Sequence, residues 1–251
     1  MIELRGVTKK YKDKTVLNNI HLNIPKGGVT SIVGANGAGK STLLSLMGRL
    51  LPMDEGEILV NGLDITNTDS NTLAKNISIL RQENHFVSRL MVRDLVSFGR
   101  YPYSKGRLNQ KDLHKIDDSL SFLGLTDLQN RFLDELSGGQ RQRAYVAMVL
   151  CQDTEYILLD EPLNNLDIKH SVNMMRQIRR AAIEMNKTIV IIIHDINFAS
   201  VYSDRIIAMR NGRIIYQGEP EEIMQEDILE DIFDTPVLVR DLAGQKLGIY
   251  Y

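Results

Sequence analysis

Apolar residues recur along the chain with two different periods. Near the N-terminus Ile2, Leu4 and Val7 are separated by polar residues, and Ile20, Leu22 and Ile24 alternate strictly, the period of half-buried strands. The turn Pro25-Lys26-Gly27-Gly28 leads into Val29-Thr30-Ser31-Ile32-Val33, a β-branched run that predicts a strand buried on both faces. Beyond a glycine-rich loop, Leu43, Leu44, Leu46 and Met47 fall at helical spacing. Residues 56–62 predict a strand that ends in the Asn61-Gly62 turn, and residues 76–80 predict another.

From about Glu83 to Leu150 the strand signals cease. Leu95, Val96, Leu113, Ile116, Leu120 and Leu123 supply a helical pattern there, which predicts a helical lobe at about 83–150 inserted into an α/β domain. Strand signals return at 156–159 and 188–193, and the segments 205–209 and 213–216 flank Asn211-Gly212 as a hairpin. After Glu219 two short helices are expected, then a closing hairpin of 237–239 with 247–249. Strands separated by helices predict an α/β core with a largely parallel sheet.

The chain has 251 residues, of which 43% are hydrophobic, enough to fill the core of one large α/β domain. With 30 Lys+Arg against 32 Asp+Glu the net charge is −2, which argues against a strongly basic nucleic-acid binder. The single cysteine, Cys151, excludes an intrachain disulfide and a multi-cysteine metal site, fits a reducing cytoplasm, and reads as a core residue near a helix end. No secretion signal is expected, because Met1 to Arg5 lacks a basic region followed by a long apolar run. Clean apolar runs such as 189–193 are far too short to span a bilayer, so any membrane role is expected to come through a partner.

The sequence Gly34-Ala35-Asn36-Gly37-Ala38-Gly39-Lys40-Ser41 fits GxxxxGK[ST], between a predicted buried strand and a predicted helix. Glycines let backbone N–H groups converge on a polyphosphate, and the helix start faces the anion. Lys40 adds a point charge and Ser41 a hydroxyl for Mg²⁺. The apolar strand 156–159 runs into Asp160 and Glu161. Beside a phosphate loop, Asp160 is expected to organise Mg²⁺. Glu161, turned away from it by strand alternation, is expected to act as general base on a water. His194 follows a strand and can hydrogen-bond a terminal phosphate as a neutral imidazole. His21, His85, His114 and His170 show no metal-ligand spacing. Leu136-Ser137-Gly138-Gly139-Gln140 precedes a helical segment and forms a second possible anion cradle. Two cradles mean either two anions or one nucleotide gripped by two chains.

In this order and spacing, the phosphate loop, Gln82 after a strand, 136–140, Asp160-Glu161, Asp167 and His194 resemble the ATP-binding subunit of an ABC transporter, over essentially the whole chain. The resemblance implies a phosphate-loop NTPase core with N-terminal antiparallel strands and an inserted helical lobe, residues 1–251 forming one cassette. It implies an ATPase coupled to transport, with ATP and Mg²⁺ as cofactors. Tyr11 would stack on adenine, and residues 34–41 with Thr42 would hold the phosphates. Gln82 would touch Mg²⁺ or the attacking water, and Ser137, Gly138, Gly139 and Gln140 would face the γ-phosphate on a partner subunit. Asp167 would lie at the interface of a homodimer packed head to tail around two ATP molecules. The family often has Ser-Ala-Leu-Asp where this chain has Asn164-Asn165-Leu166-Asp167, so the role of the first loop position is left open.

Phe98-Gly99-Arg100-Tyr101-Pro102-Tyr103, together with 161–167 and 193–199, resembles the importers of ferric siderophores, haem and cobalamin. Within these the match narrows toward petrobactin-type siderophore importers. This implies a permease, indirectly a substrate-binding protein, no nucleic-acid partner, and a place on the cytoplasmic face of the membrane. Arg93, Asp94, Arg100, Phe98, Tyr101 and Tyr103 are expected to form the permease-docking surface. A cassette for haem, cobalamin or a metal ion is the alternative, and a soluble ABC-type ATPase a more distant one. One cassette without a heptad run speaks against the latter.

Overall fold

Along β1 (Ile2–Tyr11) the inward alternation first breaks where Gly6 takes a φ of 62° and the register against β2 (Lys14–Ile24) slips between Leu4 and Val7. The bulge absorbs the extra residue and returns Val7 to the same inner face as Ile2 and Leu4. The computed structural model describes residues 1–82 and 89–250. The predicted start of the helical stretch at Glu83, and His85, lie outside the described residues.

After β2 come β3 (Gly28–Val33), α1 (Lys40–Met47), β4 (Glu55–Val60), β5 (Leu63–Asp64), α2 (Ser70–Leu73) and β6 (Ile77–Leu80). The helical stretch holds α3 (Val92–Ser97), α4 (Tyr101–Ser104), α5 (Gln110–Phe122) and α6 (Gly138–Cys151). Then follow β7 (Tyr156–Asp160), α7 (Ile168–Glu184), β8 (Thr188–Ile192), α8 (Ile196–Tyr202), β9 (Arg205–Arg210) and β10 (Arg213–Gly218). The chain closes with α9 (Pro220–Ile223), α10 (Glu226–Phe233), β11 (Leu238–Leu242) and β12 (Gln245–Ile249).

Two sheets carry the fold. One is antiparallel, in the order β2-β1-β4-β5. The other, in the order β10-β9-β3-β8-β7-β6, is parallel except for the β9–β10 hairpin. Its central strands are buried on both faces, and alternate residues serve different cores. Tyr156, Leu158, Val190 and Ile192 pack toward the antiparallel sheet and α1. Ile157, Leu159, Ile189 and Ile191 pack toward α5, α6 and α7. The C-terminal hairpin β11–β12 rests on α8, where Asn197 exchanges two hydrogen bonds with the backbone of Gly248.

In the helical stretch α3, α5 and α6 pack on one another, and Arg100 departs from its expected role. It is 6% exposed, not a surface anchor. Its Nε donates to Asp112 Oδ1 at 3.0 Å and its Nη1 to the carbonyl of Cys151 at 2.9 Å. A guanidinium so placed joins α5 to the end of α6 and has no free face for a partner. Arg93 is likewise tied to Asp117 and Gln129 within the chain. Phe98, Tyr101 and Tyr103 are exposed. Cys151 is buried at the last residue of α6, and burial pushes its thiol up to about 11. Among the described residues no helix is long and apolar enough to cross a membrane.

Candidate functional site

The phosphate loop joins β3 to α1, at the ends of the central parallel strands. Gly34 has a φ of 139°, and a Cβ there would stand 2.1 Å from the carbonyl oxygen of Met209 on β9. Only glycine lets the loop pass so close to a neighbouring strand. Gly39, at φ 101°, precedes the first turn of α1. α5, α6, α7 and α8 are capped by the side chains of Asn109, Ser137, Asp167 and Asp195, whereas α1 has no side-chain cap and no acidic residue in its first turn. Its N-terminal N–H groups and positive dipole end therefore face the loop with no capping side chain and no acidic residue of the helix's own first turn on them.

A cavity of about 490 Å³ opens there, lined by residues 36–42, Glu161 and residues of two other segments. One is Lys14-Thr15-Val16 at the start of β2; the other is the turn Asn211-Gly212. Neither was singled out as part of the site from the sequence. The hairpin turn reaches the loop because Gly212 N donates to Ala38 O at 3.0 Å, a tertiary contact with no local signal. Tyr11 ends β1, is 46% exposed, and is not among these lining residues.

Lys40 Nζ donates to the carbonyls of Gly34 (2.8 Å) and Ala35 (3.0 Å), so the lysine lies folded within its own loop. Burial holds its ammonium below the usual lysine range, while Glu161 and Asp160 pull it back up. Ser41 Oγ donates to Asp160 Oδ1 at 3.0 Å. Burial, reinforced by the charge of Glu161, raises the Asp160 carboxyl above the usual range; Ser41, Lys40 and His194 oppose this. These two hard oxygen donors fit Mg²⁺, which takes one or two protein oxygens and completes its shell with phosphate and water. A nearby cation would also relieve the desolvated carboxylate. Among the described residues no group of three or more His, Cys, Asp or Glu forms a separate metal site.

Glu161 and Asp160 have separate partners, and strand alternation does not set the position of Glu161. β7 ends at Asp160, and Glu161 has already left it with a left-handed φ of 49°. Its side chain is 9% exposed. Oε1 lies 2.7 Å from His194 Nε2, and Oε2 accepts from Gln82 Nε2 at 2.7 Å and from Asn164 Nδ2. Gln82, Glu161 and His194, assigned separately from the sequence, thus form one cluster, and Asn164 joins them.

Ser137 to Gln140 and Asp167 stand apart from the cavity lining and meet each other through His170. Ser137 Oγ accepts from Gln140 N, and Gln140 Oε1 from Ser137 N, a capping box that starts α6. Asp167 caps α7 and accepts from His170 N (2.8 Å) and His170 Nδ1 (2.7 Å). The same imidazole sits where a Cβ on Gly139 would come within 2.7 Å of it. His170 had no chemical pattern around it in the sequence; its place follows from helix packing.

The fold and the phosphate loop define the class, a phosphate-loop nucleoside triphosphatase. Residues 17–164 match the ABC transporter family, and the chain belongs to it. It is an ATPase subunit coupled to transport. It is 53% identical over 251 residues to the petrobactin import ATP-binding protein YclP of Bacillus subtilis (strain 168), covering 100% of both chains. It is 58% identical over 250 residues to the petrobactin import ATP-binding protein FatE of Bacillus anthracis, again covering 100% of both. Among solved structures, the dimeric post-hydrolysis state of the cassette MJ0796 bound to ADP and Pi is 29% identical, with a TM-score of 0.78 over 88% of this chain and 99% of that one.

Proposed function

We propose that this chain is the ATP-hydrolysing subunit of an importer for an iron–siderophore complex, petrobactin or a related catecholate. It works as a homodimer on the cytoplasmic face of the membrane, bound to permease subunits that receive cargo from a substrate-binding protein. In this reading residues 1–251 form one cassette and about 83–150 its inserted helical lobe. The relatives' substrate supports the cargo assignment. The hydrolytic assignment rests on one observation: a carboxylate beside the phosphate loop, held by His194 on one oxygen and Gln82 on the other.

Residues 34–42 cradle the phosphates, Lys40 supplies positive charge, and Tyr11 offers its exposed ring to adenine. Ser41 and Asp160 would hold Mg²⁺, which would supply neutralisation of charge on the phosphates. Glu161 takes the proton from the attacking water, and its hydrogen bonds hold the carboxylate in place. His194, its imidazole shared with Glu161, senses the terminal phosphate, and Gln82 reports on the site to the helical stretch. Ser137, Gly138, Gly139 and Gln140 face the nucleotide of the partner subunit, and Asp167 lies between the two sites.

The test is a deletion strain with no second cassette able to substitute. It should lose growth on petrobactin as sole iron source while growth on haem or free iron persists. A wild-type copy should restore growth and a Glu161→Gln copy should not. Unchanged siderophore uptake in the deletion strain removes the cargo assignment. Wild-type turnover by Glu161→Gln with its permease removes the base; the expected fall is about a hundredfold or more.

A further inference from the structure

The turn after β7 carries the departure from the family pattern, and its geometry points to a function for it. Glu161 N-terminal to this turn has three side-chain torsions to fix before its carboxylate can aim at a water, and each is an entropic cost. Asn164 closes a ring back onto it. Its backbone N donates to Glu161 O at 3.2 Å, while its side-chain Nδ2 donates to Glu161 Oε2. The turn itself is well anchored. Leu163 and Leu166 pack against the core beneath α6 and α7, Leu166 N donates to Leu163 O at 3.2 Å, and Asp167 caps the helix that follows. The amide is thus presented from a fixed scaffold, the condition for positioning a reactive group.

We propose that Asn164 is a positioning residue for the Glu161 carboxylate, its amide N–H fixing Oε2 while His194 contacts Oε1. The inference rests on the reading of Glu161 as the base. The chemistry explains the residue type. An amide of this length spans the turn and offers a neutral donor. A serine hydroxyl ends too close to the backbone to make the same bond, and an aspartate would place a like charge on the carboxylate. Gln82 donates to the same oxygen but comes from another strand end, so the two donors fix the carboxylate from different parts of the fold.

The test measures ATP turnover and nucleotide affinity for the chain reconstituted with its permease. Asn164→Ala should lower kcat about tenfold, the scale of one hydrogen bond to a charged group, with KM for ATP and the thermal midpoint unchanged. Asn164→Asp should lose more than Asn164→Ala, although it is closer in shape. In a Glu161→Gln background, Asn164→Ala should add no further loss, since the group it positions is gone. Wild-type kcat in both Asn164 variants, a rise in KM in place of a fall in kcat, or a full additional loss in the Glu161→Gln background would each overturn the proposal. These results are separate from failure of the base itself, which Glu161→Gln alone reports.

Discussion

Ser41 Oγ donates to Asp160 Oδ1 at 3.0 Å, across 119 positions of sequence. The bond joins the first turn of α1 to the end of β7, and it forms because β3 and β7 flank β8 in one parallel sheet and end on the same side. The parallel topology, more than any local motif, brings a hydroxyl and a carboxylate together beside the phosphate loop.

That carboxylate is a stability cost as it stands. Burial raises its pKa above the ordinary value of 3.8, so the folded chain holds the proton more tightly than the unfolded chain does. The stabilisation this gives is fully present below the unfolded value and lost as pH rises through the folded value, leaving a net cost at neutral pH. Asp160→Asn keeps the shape and an acceptor for Ser41 but removes the charge. Without nucleotide the variant should melt a few degrees higher than wild type at neutral pH. The gap should narrow as pH falls through the raised folded value toward the ordinary 3.8, because wild type then gains its own proton. Mg²⁺-dependent turnover should be lost. Thermal melts across pH check this; a lower midpoint for the variant at neutral pH contradicts it.

Gly34→Ala should damage the phosphate loop without touching any charged group. The new methyl would meet the Met209 carbonyl at 2.1 Å on a backbone with a φ of 139°. Either the loop or β9 must move, at a cost of about 2 kcal/mol or more in stability. Nucleotide affinity should fall by at least about tenfold, equivalent to ~1.4 kcal/mol. Titration of a fluorescent ATP analogue measures it. Gly37→Ala is the control, since a Cβ there meets nothing within 4 Å, though its φ of 79° still strains the backbone. It should lose less.

Such loops are legible in sequence because the constraint is local: residue types with permitted backbone angles at fixed spacing. The strands of the parallel sheet were legible for a similar reason, since β-branched runs such as 188–193 have few other uses. What escaped were facts of tertiary contact. Arg100 sits in an aromatic-rich surface stretch, and only the packing of α5 shows that Asp112 draws it inward. The orientation of Glu161 depends on a left-handed residue just past a strand, which no alternation rule anticipates. The Asn164 contact needs that orientation first.

The Arg100–Asp112 pair should prove costly to break and cheap to replace. Their side chains are only 7% and 2% exposed, so removing one leaves a charge in a poor solvent. Asp112→Ala should destabilise the chain by about 3–5 kcal/mol. It also removes the acceptor at N3 of the α5 capping box. The double variant Arg100→Met with Asp112→Leu should recover a substantial part of the loss, because no unpaired charge remains. Denaturant unfolding of Arg100→Met, Asp112→Leu and the double variant gives the coupling. Purely additive losses would show that the pair is not energetically joined.

Ser137→Arg tests whether the second cradle serves another chain's nucleotide. Ser137 is exposed at the start of α6 and does not line the cavity of its own phosphate loop. Replacing it removes a helix cap, worth about 1 kcal/mol, and adds a long cation to the surface. A lone subunit should therefore still fold and bind ATP with unchanged affinity. Two copies should no longer close. The arginine would occupy the space that the partner's γ-phosphate must enter, and the α6 N–H groups it blocks are the ones offered to that anion. In the Glu161→Gln background, where hydrolysis cannot dissolve a closed pair, ATP should drive the parent chain to a dimer on size exclusion and leave the Ser137→Arg chain monomeric. Turnover by Ser137→Arg alone should vanish while ATP binding persists. A Ser137→Arg chain that dimerises with ATP and hydrolyses it at the wild-type rate would exclude the head-to-tail arrangement.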